Sequence, residues 1–154
     1  APHDISIFQH LINDFPVEVV SRGGAFLRSE IHDTTMTILR YPNNTVGHIF
    51  VSWLHPFKEH RLVVIGSKGM ITFEDSSNEK SLFYYDKKVD FIDGKHVVSD
   101  AIREKIDYQQ GKPLTKELSY FLSHLDGDPI EISSANHAIE VLRILETASK
   151  SLKV

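Results

Sequence analysis

The chain of 154 residues contains no cysteine. This absence excludes disulfide bonds, thiolate metal sites and cysteine nucleophiles, and it is compatible with a reducing compartment. The sequence also lacks any apolar run near the ~18 residues that a membrane span requires. We therefore expect a cytoplasmic protein with no membrane-spanning segment.

Phosphate-binding and nucleophile motifs are missing as well. No Gly-x-Gly-x-x-Gly, Walker or Gly-x-Ser-x-Gly pattern occurs, and Gly66-x-x-Gly69 is not a phosphate loop. We therefore expect the chain to bind no dinucleotide by itself. The net charge is -4 and the basic residues are scattered, which argues against a nucleic-acid partner because such binding needs a concentrated positive face.

With 41% hydrophobic and 25% charged residues, the composition fits one globular domain over residues 1–154. Helical spacing predicts a first helix over residues 4–14 with Asp4 as its cap, and the alternation and turn residues that follow predict hairpin-linked strands. Two more helices are predicted, one from Pro113 to about Gly127 and one starting at Ser133 or Ser134. This order predicts an α+β fold: an open, mostly antiparallel β-sheet with helices packed on one face. A β-rich stretch is predicted to begin at residues 17–20 and to run to about Val98. The strands predicted within it cover residues 33–40, 46–54, 61–65, 70–73, 81–86, 89–92 and 96–98.

Residues 52–61 bring polar and aromatic side chains together at a predicted strand end. Lys58 and Arg61 are suited to a phosphate or carboxylate, although a solvated connection is the plain alternative. Trp53 is the single tryptophan, and such a residue belongs more often to a core or interface than to a sugar-binding platform. His55 and His60 lack the spacing of helical zinc motifs, so we expect no metal site.

His3 is the candidate base. Its place at a predicted helix start matters because the partial positive charge there favours a neutral imidazole, which can take a proton from an alcohol. The alternative is a surface histidine at a frayed terminus.

Several segments of the sequence form a recognisable series in their order and spacing. They are Pro2-His3-Asp4-Ile5-Ser6, Asp33, Ser52-Trp53-Leu54-x-Pro56-x-Lys58-x-x-Arg61, Ile65-Gly66-Ser67-Lys68-Gly69, and the two helical patterns from Pro113 and Ala138. Together these segments resemble the C-terminal domain of the glucose–fructose oxidoreductase/inositol dehydrogenase (Gfo/Idh/MocA) family. The stretch around Trp53 looks most like the nucleotide-sugar 3-dehydrogenase branch.

The resemblance implies a two-domain enzyme acting on a sugar or nucleotide-sugar hydroxyl. Its N-terminal Rossmann domain, absent from this chain, would bind NAD or NADP, and its C-terminal domain would form a homo-oligomer through the sheet face. His3 matches the histidine of the family's Asp-x-x-x-His motif, whose Asp would precede Ala1. Lys58, Arg61, His55 and Trp53 become candidate substrate contacts, with an oligomer interface as the alternative place for Lys58 and Arg61.

The first residue is Ala1 and not methionine, so we expect a fragment of a longer protein that is inactive alone. The alternative hypothesis is a stand-alone carbohydrate-binding or oligomerisation module without catalysis. A weaker one is a metal-dependent hydrolase that uses His55 and His60.

Overall fold

A computed structural model describes residues 1–87, 89–98 and 102–152. Within these residues, one helix is followed by nine strands and then by two helices, and every strand pair is antiparallel. The predicted α+β class is confirmed. The helices are α1 (Pro2–Ile12), α2 (Pro113–Ser123) and α3 (Ala135–Ser151); the strands are β1 (Glu18–Gly24), β2 (Thr34–Arg40), β3 (Val46–Ser52), β4 (Arg61–Gly66), β5 (Gly69–Glu74), β6 (Leu82–Tyr85), β7 (Val89–Ile92), β8 (Lys95–Val98) and β9 (Arg103–Ile106).

The described strands pair in three sheets, in the orders β1-β2-β3, β4-β5-β6-β9 and β7-β8. The chain divides into two compact units. The first unit consists of residues 1–55 and 120–154, and the second unit of residues 56–119, so α2 runs across the division.

In the first unit, strand β2 shows how alternating buried and exposed side chains give the β1-β2-β3 sheet one inward face. Along β2, Thr37 and Leu39 are buried while Met36 and Ile38 are exposed, so one face of the strand packs inward. The connecting turn contains Asn44 at a φ of 63°, a left-handed conformation that asparagine tolerates. The sheet therefore has one buried face and one face that carries exposed apolar side chains.

Helices α1 and α3 cover the buried face of this sheet. Ser134 caps α3, because its side chain accepts a hydrogen bond from the His137 backbone N–H at 3.3 Å. Helix α1 comes so close to β3 that a Cβ on Gly47 would stand 2.5 Å from the Phe8 ring. The core of the unit comprises Ile5, Leu39, Tyr41, Ile49, Val141 and Ile144.

Tyr41 gives this core a pH dependence. Its side chain is 1% exposed and its hydroxyl donates to Gln9 Oε1 at 3.1 Å. Burial, reinforced by the negative charge of Asp14, raises the pKa of Tyr41 from 10.0 to about 12. An unfolded chain thus releases this proton at lower pH than the folded chain, so stability is complete below about pH 10 and falls as the pH rises towards 12.

We expect this alkaline loss to reach about 3 kcal/mol, the equivalent of two pKa units. Urea unfolding at a series of pH values from 8 to 12 measures it. Tyr41→Phe should remove this part of the pH dependence, while Tyr84→Phe, at a half-buried position in the second unit, should retain it. An equal alkaline loss in wild type and Tyr41→Phe would contradict the assignment.

The second unit is built on the β4–β5 hairpin. Gly66 pairs with Gly69 across the Gly66-Ser67-Lys68-Gly69 turn, as the sequence predicts. The hydroxyl of Tyr84 on β6 donates to the Lys68 carbonyl at 3.1 Å, which ties the turn to the next strand. A Cβ on Gly69 would lie 2.7 Å from the Tyr84 ring, so this close approach requires glycine.

Several predicted boundaries were wrong. Helix α1 begins at Pro2, whose fixed φ suits a first helical position, so Ala1 is the cap and Asp4 lies inside the first turn. Helix α2 ends at Ser123, before the predicted end at Gly127. Strand β1 runs from Glu18 to Gly24, inside the β-rich stretch that is predicted to begin at residues 17–20.

Strand β9 was not predicted. Its residues, Arg103 to Ile106, include three charged side chains and show no apolar alternation. The strand forms because its backbone pairs with β6 at the edge of the sheet.

Candidate functional site

His3 lies exposed in the first turn of α1, one residue after Pro2. The sequence predicted it just before the helix, so this placement corrects the boundary and keeps the residue at the positive end of the helix. The adjacent turn is attached to the unit, because Ile5 is buried and belongs to the core. His3 therefore projects from a helix whose position is fixed by packing.

Polar contacts also hold α1 in place. Ser6 Oγ and His137 Nε2 lie 2.8 Å apart, which joins the first turns of α1 and α3. One turn further along, Gln9 Nε2 donates to Glu140 Oε2 at 3.2 Å. Because these contacts repeat along the helix, the orientation of the turn that bears His3 is set by α3.

The other side of α1 carries an exposed stripe. His3, Ile7, His10 and Leu11 recur at helical spacing, and all four side chains are exposed. Two of the four are large apolar residues. His3 thus lies on a mixed polar and apolar surface and not on a uniformly charged one.

Asp33 is a structural residue whose role the sequence analysis did not recognise. Its side chain is 5% exposed, and its Oδ2 accepts hydrogen bonds from the backbone N–H groups of Phe26, at 2.5 Å, and Leu27, at 2.8 Å. Its own backbone N–H donates to the Gly24 carbonyl at 2.9 Å. Asp33 therefore closes the loop between β1 and β2. These donors lie six and seven residues before Asp33, so no local turn signal in the sequence marks the contact.

Asp33 also holds the segment that contains Trp53. The Trp53 backbone N–H donates to the Asp33 carbonyl at 2.8 Å, while its indole is 78% exposed. Trp53 therefore does not belong to the core of the first unit. The nearby His55 ring packs edge-on against Phe50, with 6.2 Å between the ring centroids. Both candidate contacts thus follow directly after β3 on the exposed side of the unit.

In the second unit, the charges of Lys58 and His60 interact with the carboxylate of Asp75. Lys80 Nζ lies 2.9 Å from Asp75 Oδ1, and His60 Nδ1 lies 3.8 Å from Asp75 Oδ2. The hydrogen bond from Lys80 holds the pKa of Asp75 below its usual value, and the charges of Lys58 and His60 lower it further. The charge of Lys58 therefore already faces a carboxylate of its own chain.

Arg61 lines a cleft of about 470 Å³ on one face of the β4-β5-β6-β9 sheet. Arg103, Phe83 and Tyr85 line the same cleft, together with Glu74. Lys58 is not among the lining residues. Sequence analysis identified Arg61 but missed Arg103, which lies in the strand that lacks apolar alternation.

The described residues do not form a dinucleotide site of the glycine-rich type. Such a site needs a strand, a glycine-rich turn and a helix followed by a parallel strand. In the described parts of the chain all strand pairs are antiparallel, and the turn from Gly66 to Gly69 joins two strands.

Among the described residues, no group of three or more histidine, aspartate or glutamate side chains is arranged to hold a metal ion. None of the helices in the described ranges combines the length and apolarity needed to cross a bilayer.

Comparisons with known proteins are consistent with the fold. A family model described as the GFO/IDH/MocA C-terminal domain matches residues 1–72. No curated protein sequence matches the chain.

Solved structures match almost the whole chain. UDP-N-acetylglucosamine 3-dehydrogenase GnnA from Acidithiobacillus ferrooxidans superposes with a TM-score of 0.82 at 17% identity, over 98% of this chain and 46% of that one. An oxidoreductase from Desulfitobacterium hafniense, described as NADPH-dependent, gives 0.77 at 18% identity, over 97% and 43%. The WlbA dehydrogenase from Bordetella pertussis, in complex with NADH and UDP-GlcNAcA, gives 0.66 at 17% identity, over 98% and 40%.

This chain thus spans less than half the length of each of these proteins. At these identities the superpositions establish a shared fold. The family model matches residues 1–72, and the superpositions extend the similarity in fold to almost the whole chain.

Proposed function

We propose that this chain is the substrate-binding and oligomerisation domain of a cytoplasmic NAD(P)-dependent oxidoreductase that acts on a hydroxyl of a sugar or nucleotide sugar. The observation that carries the proposal is the placement of His3 in the first turn of a firmly packed helix, within a fold shared with a UDP-N-acetylglucosamine 3-dehydrogenase. The N-terminal cofactor domain lies outside this chain in the proposal, and the chain alone is inactive.

In the intact enzyme, His3 accepts the proton of the hydroxyl whose carbon is oxidised. A base for this step must be accessible to substrate and held in a fixed direction, and His3 is exposed on a helix anchored by Ile5 and by the contact between Ser6 and His137. The bound NAD(P) would accept the hydride from the same carbon. The chain's own contribution is thus the base and its positioning.

The exposed stripe of α1 supports a covering domain. Ile7 and Leu11 follow His3 on the same exposed stripe of the helix, and another domain packed against this stripe would remove them from water. A base that lies at the edge of such a contact is excluded from bulk water while it remains near a cofactor.

The remaining candidate contacts take separate roles in the proposal. Trp53 offers an exposed aromatic face for a sugar ring, and His55 offers a hydrogen-bonding group after the same strand. Arg61 and Lys58 bind anionic groups of the substrate, with Arg61 the stronger candidate because Lys58 already acts on Asp75. Each contact is testable by substitution.

The exposed apolar face of the first unit's sheet supports the oligomer. Met36, Ile38, Val46 and Phe50 are exposed on the three-stranded sheet, on the face opposite the core. Directly paired residues Met36 and Phe50 make this apolar surface continuous across two strands. We propose that a second copy of the protein covers it.

The test is an assay of the full-length protein that contains this chain. Incubation with UDP-N-acetylglucosamine and NAD or NADP should produce reduced nicotinamide, detected by its absorbance, whereas residues 1–154 alone should produce none. Absence of oxidation with nucleotide sugars and with free sugars, for a folded full-length protein, would refute the proposal and favour a binding module.

A further inference from the structure

The cleft on the second unit's sheet collects side chains from separate strands. Arg61 lies on β4, Phe83 on β6 and Arg103 on β9, and all three line it. The register explains this, because Tyr85 pairs directly with Arg103 and alternate residues of a strand share a face. Its volume of about 470 Å³ lies within the range of small-ligand sites.

The guanidinium group of Arg103 is oriented by an aromatic side chain of the same sheet. Its guanidinium carbon lies 3.6 Å from the centroid of the Phe83 ring, so the planar group stacks on the aromatic face. Stacking orients the plane and leaves the N–H donors along its edge accessible. No carboxylate among the described residues lies within ion-pair distance of Arg103.

Arg61 is weakly paired. Its ion pair within the described residues is with Glu59, at 3.9 Å, and both side chains are exposed. At such distance and exposure an ion pair contributes little, because solvent screens it. Arg61 therefore retains most of its capacity to donate hydrogen bonds.

The acidic residues of the cleft are engaged within the protein. Glu74 Oε1 accepts from Ser76 Oγ at 2.8 Å. Glu79 Oε2 accepts from Ser81 Oγ at 3.3 Å and lies 3.6 Å from Lys105 Nζ. Among the charged side chains of the lining, the two guanidinium groups thus keep free N–H donors, which match phosphate or carboxylate oxygens.

The spacing of these donors indicates the size of the ligand. The guanidinium of Arg103 lies over β6, which is two strand spacings, or about 10 Å, from the backbone of β4 that bears Arg61. Two guanidinium groups that come from different strands suit a ligand with two anionic groups, such as a diphosphate, better than a single small anion. The aromatic side chain of Tyr85 supplies an apolar surface between polar groups.

We propose that this cleft binds the diphosphate of a nucleoside diphosphate ligand, with Arg103 and Arg61 as its contacts. The inference rests on the proposed function only for the choice of UDP as the nucleoside diphosphate to be tested. It adds Arg103 as a specificity residue for the diphosphate.

Titration calorimetry of residues 1–154 with UDP at low salt tests the inference. We expect UDP to bind, and Arg103→Gln and Arg61→Gln each to weaken binding about ten- to hundredfold, as the loss of charged hydrogen bonds predicts. Arg103→Lys keeps the charge but loses the stacked planar fork, so it should also bind more weakly than wild type. Uridine, which has no phosphate, should bind at least about tenfold more weakly than UDP.

Arg143→Gln is the matched control, since Arg143 is an exposed arginine on α3 in the first unit and its loss changes the net charge equally. It should leave UDP affinity unchanged. Circular dichroism checks that each variant is folded, and Arg61 and Arg103, on different strands, provide independent tests.

Failure to bind UDP at millimolar concentration would overturn the inference, as would equal affinity for uridine. A dimer that requires Arg103, in a protein that does not bind UDP, would also overturn it and assign the cleft to a contact between copies. UDP binding that depends on Arg103 would support the inference even if the full-length protein oxidised no sugar, so the two proposals fail separately.

Discussion

Replacing His3 by asparagine in the full-length enzyme is expected to lower kcat by about 10²- to 10⁴-fold, the usual contribution of a general base. Asparagine is similar in size and polar, but it cannot accept a proton at neutral pH. The fold should persist, because His3 is exposed and the packing of α1 depends on Ile5 and its neighbours. Steady-state kinetics with the substrate identified in the first assay measure the effect.

His10→Asn provides the control on the same helix. His10 is also exposed and lies on the same stripe, two turns from His3. It should retain nearly full kcat, so a general effect of losing a surface histidine is separated from loss of the base. If His3→Asn turned over substrate at the wild-type rate, His3 would have no part in the reaction.

Replacing Ile144 by alanine is expected to destabilise the protein by about 2–5 kcal/mol. The Ile144 side chain is 0% exposed and packs in the core that α1, α3 and the three-stranded sheet share. Alanine would leave a cavity among side chains that cannot fully close around it. Urea unfolding followed by circular dichroism at 222 nm measures the loss.

Ile139→Ala is the matched control, since the same residue type lies on the same helix with 47% of its side chain exposed. Its expected cost is below about 1 kcal/mol, because little apolar surface returns to water. Alanine has a higher helix propensity than isoleucine, so any loss of stability must come from packing. Equal destabilisation by the two substitutions would therefore contradict the assignment of Ile144, and not Ile139, to the core.

The parts of the fold that could be predicted depend on local signals. The Asp93-Gly94 pair adopts positive φ at both residues, 49° and 77°, as expected for a tight hairpin turn between β7 and β8. Ser134 caps α3, as predicted, because a serine hydroxyl can accept a hydrogen bond from a backbone N–H at the start of a helix. In contrast, β9 depends on pairing with β6, and a charged segment carries no local sign of such a partner. The division into two units likewise depends on contacts distant in sequence.

The candidate site shows the same limit. The place of His3 at a helix start followed from the spacing of Ile5, Phe8 and Ile12, although Pro2 and not Asp4 sets the boundary. The roles of Asp33 and Arg103 depend on which backbone groups and rings the fold brings to them. Residue type alone does not reveal such partners, so neither role was predicted.

The close approach of Phe8 to Gly47 has a consequence for strand alignment. In the observed pairing Gly47 lies opposite Leu39, and the Phe8 ring occupies the space that a Cβ would need. A slip of one residue would bring Val46 or His48 to this place, where their side chains do not fit. Helix α1 therefore helps to fix the register of the β2–β3 hairpin. The contact between Phe8 and Gly47 positions the helix that bears His3, and it also disfavours pairings of β3 that are shifted by one residue.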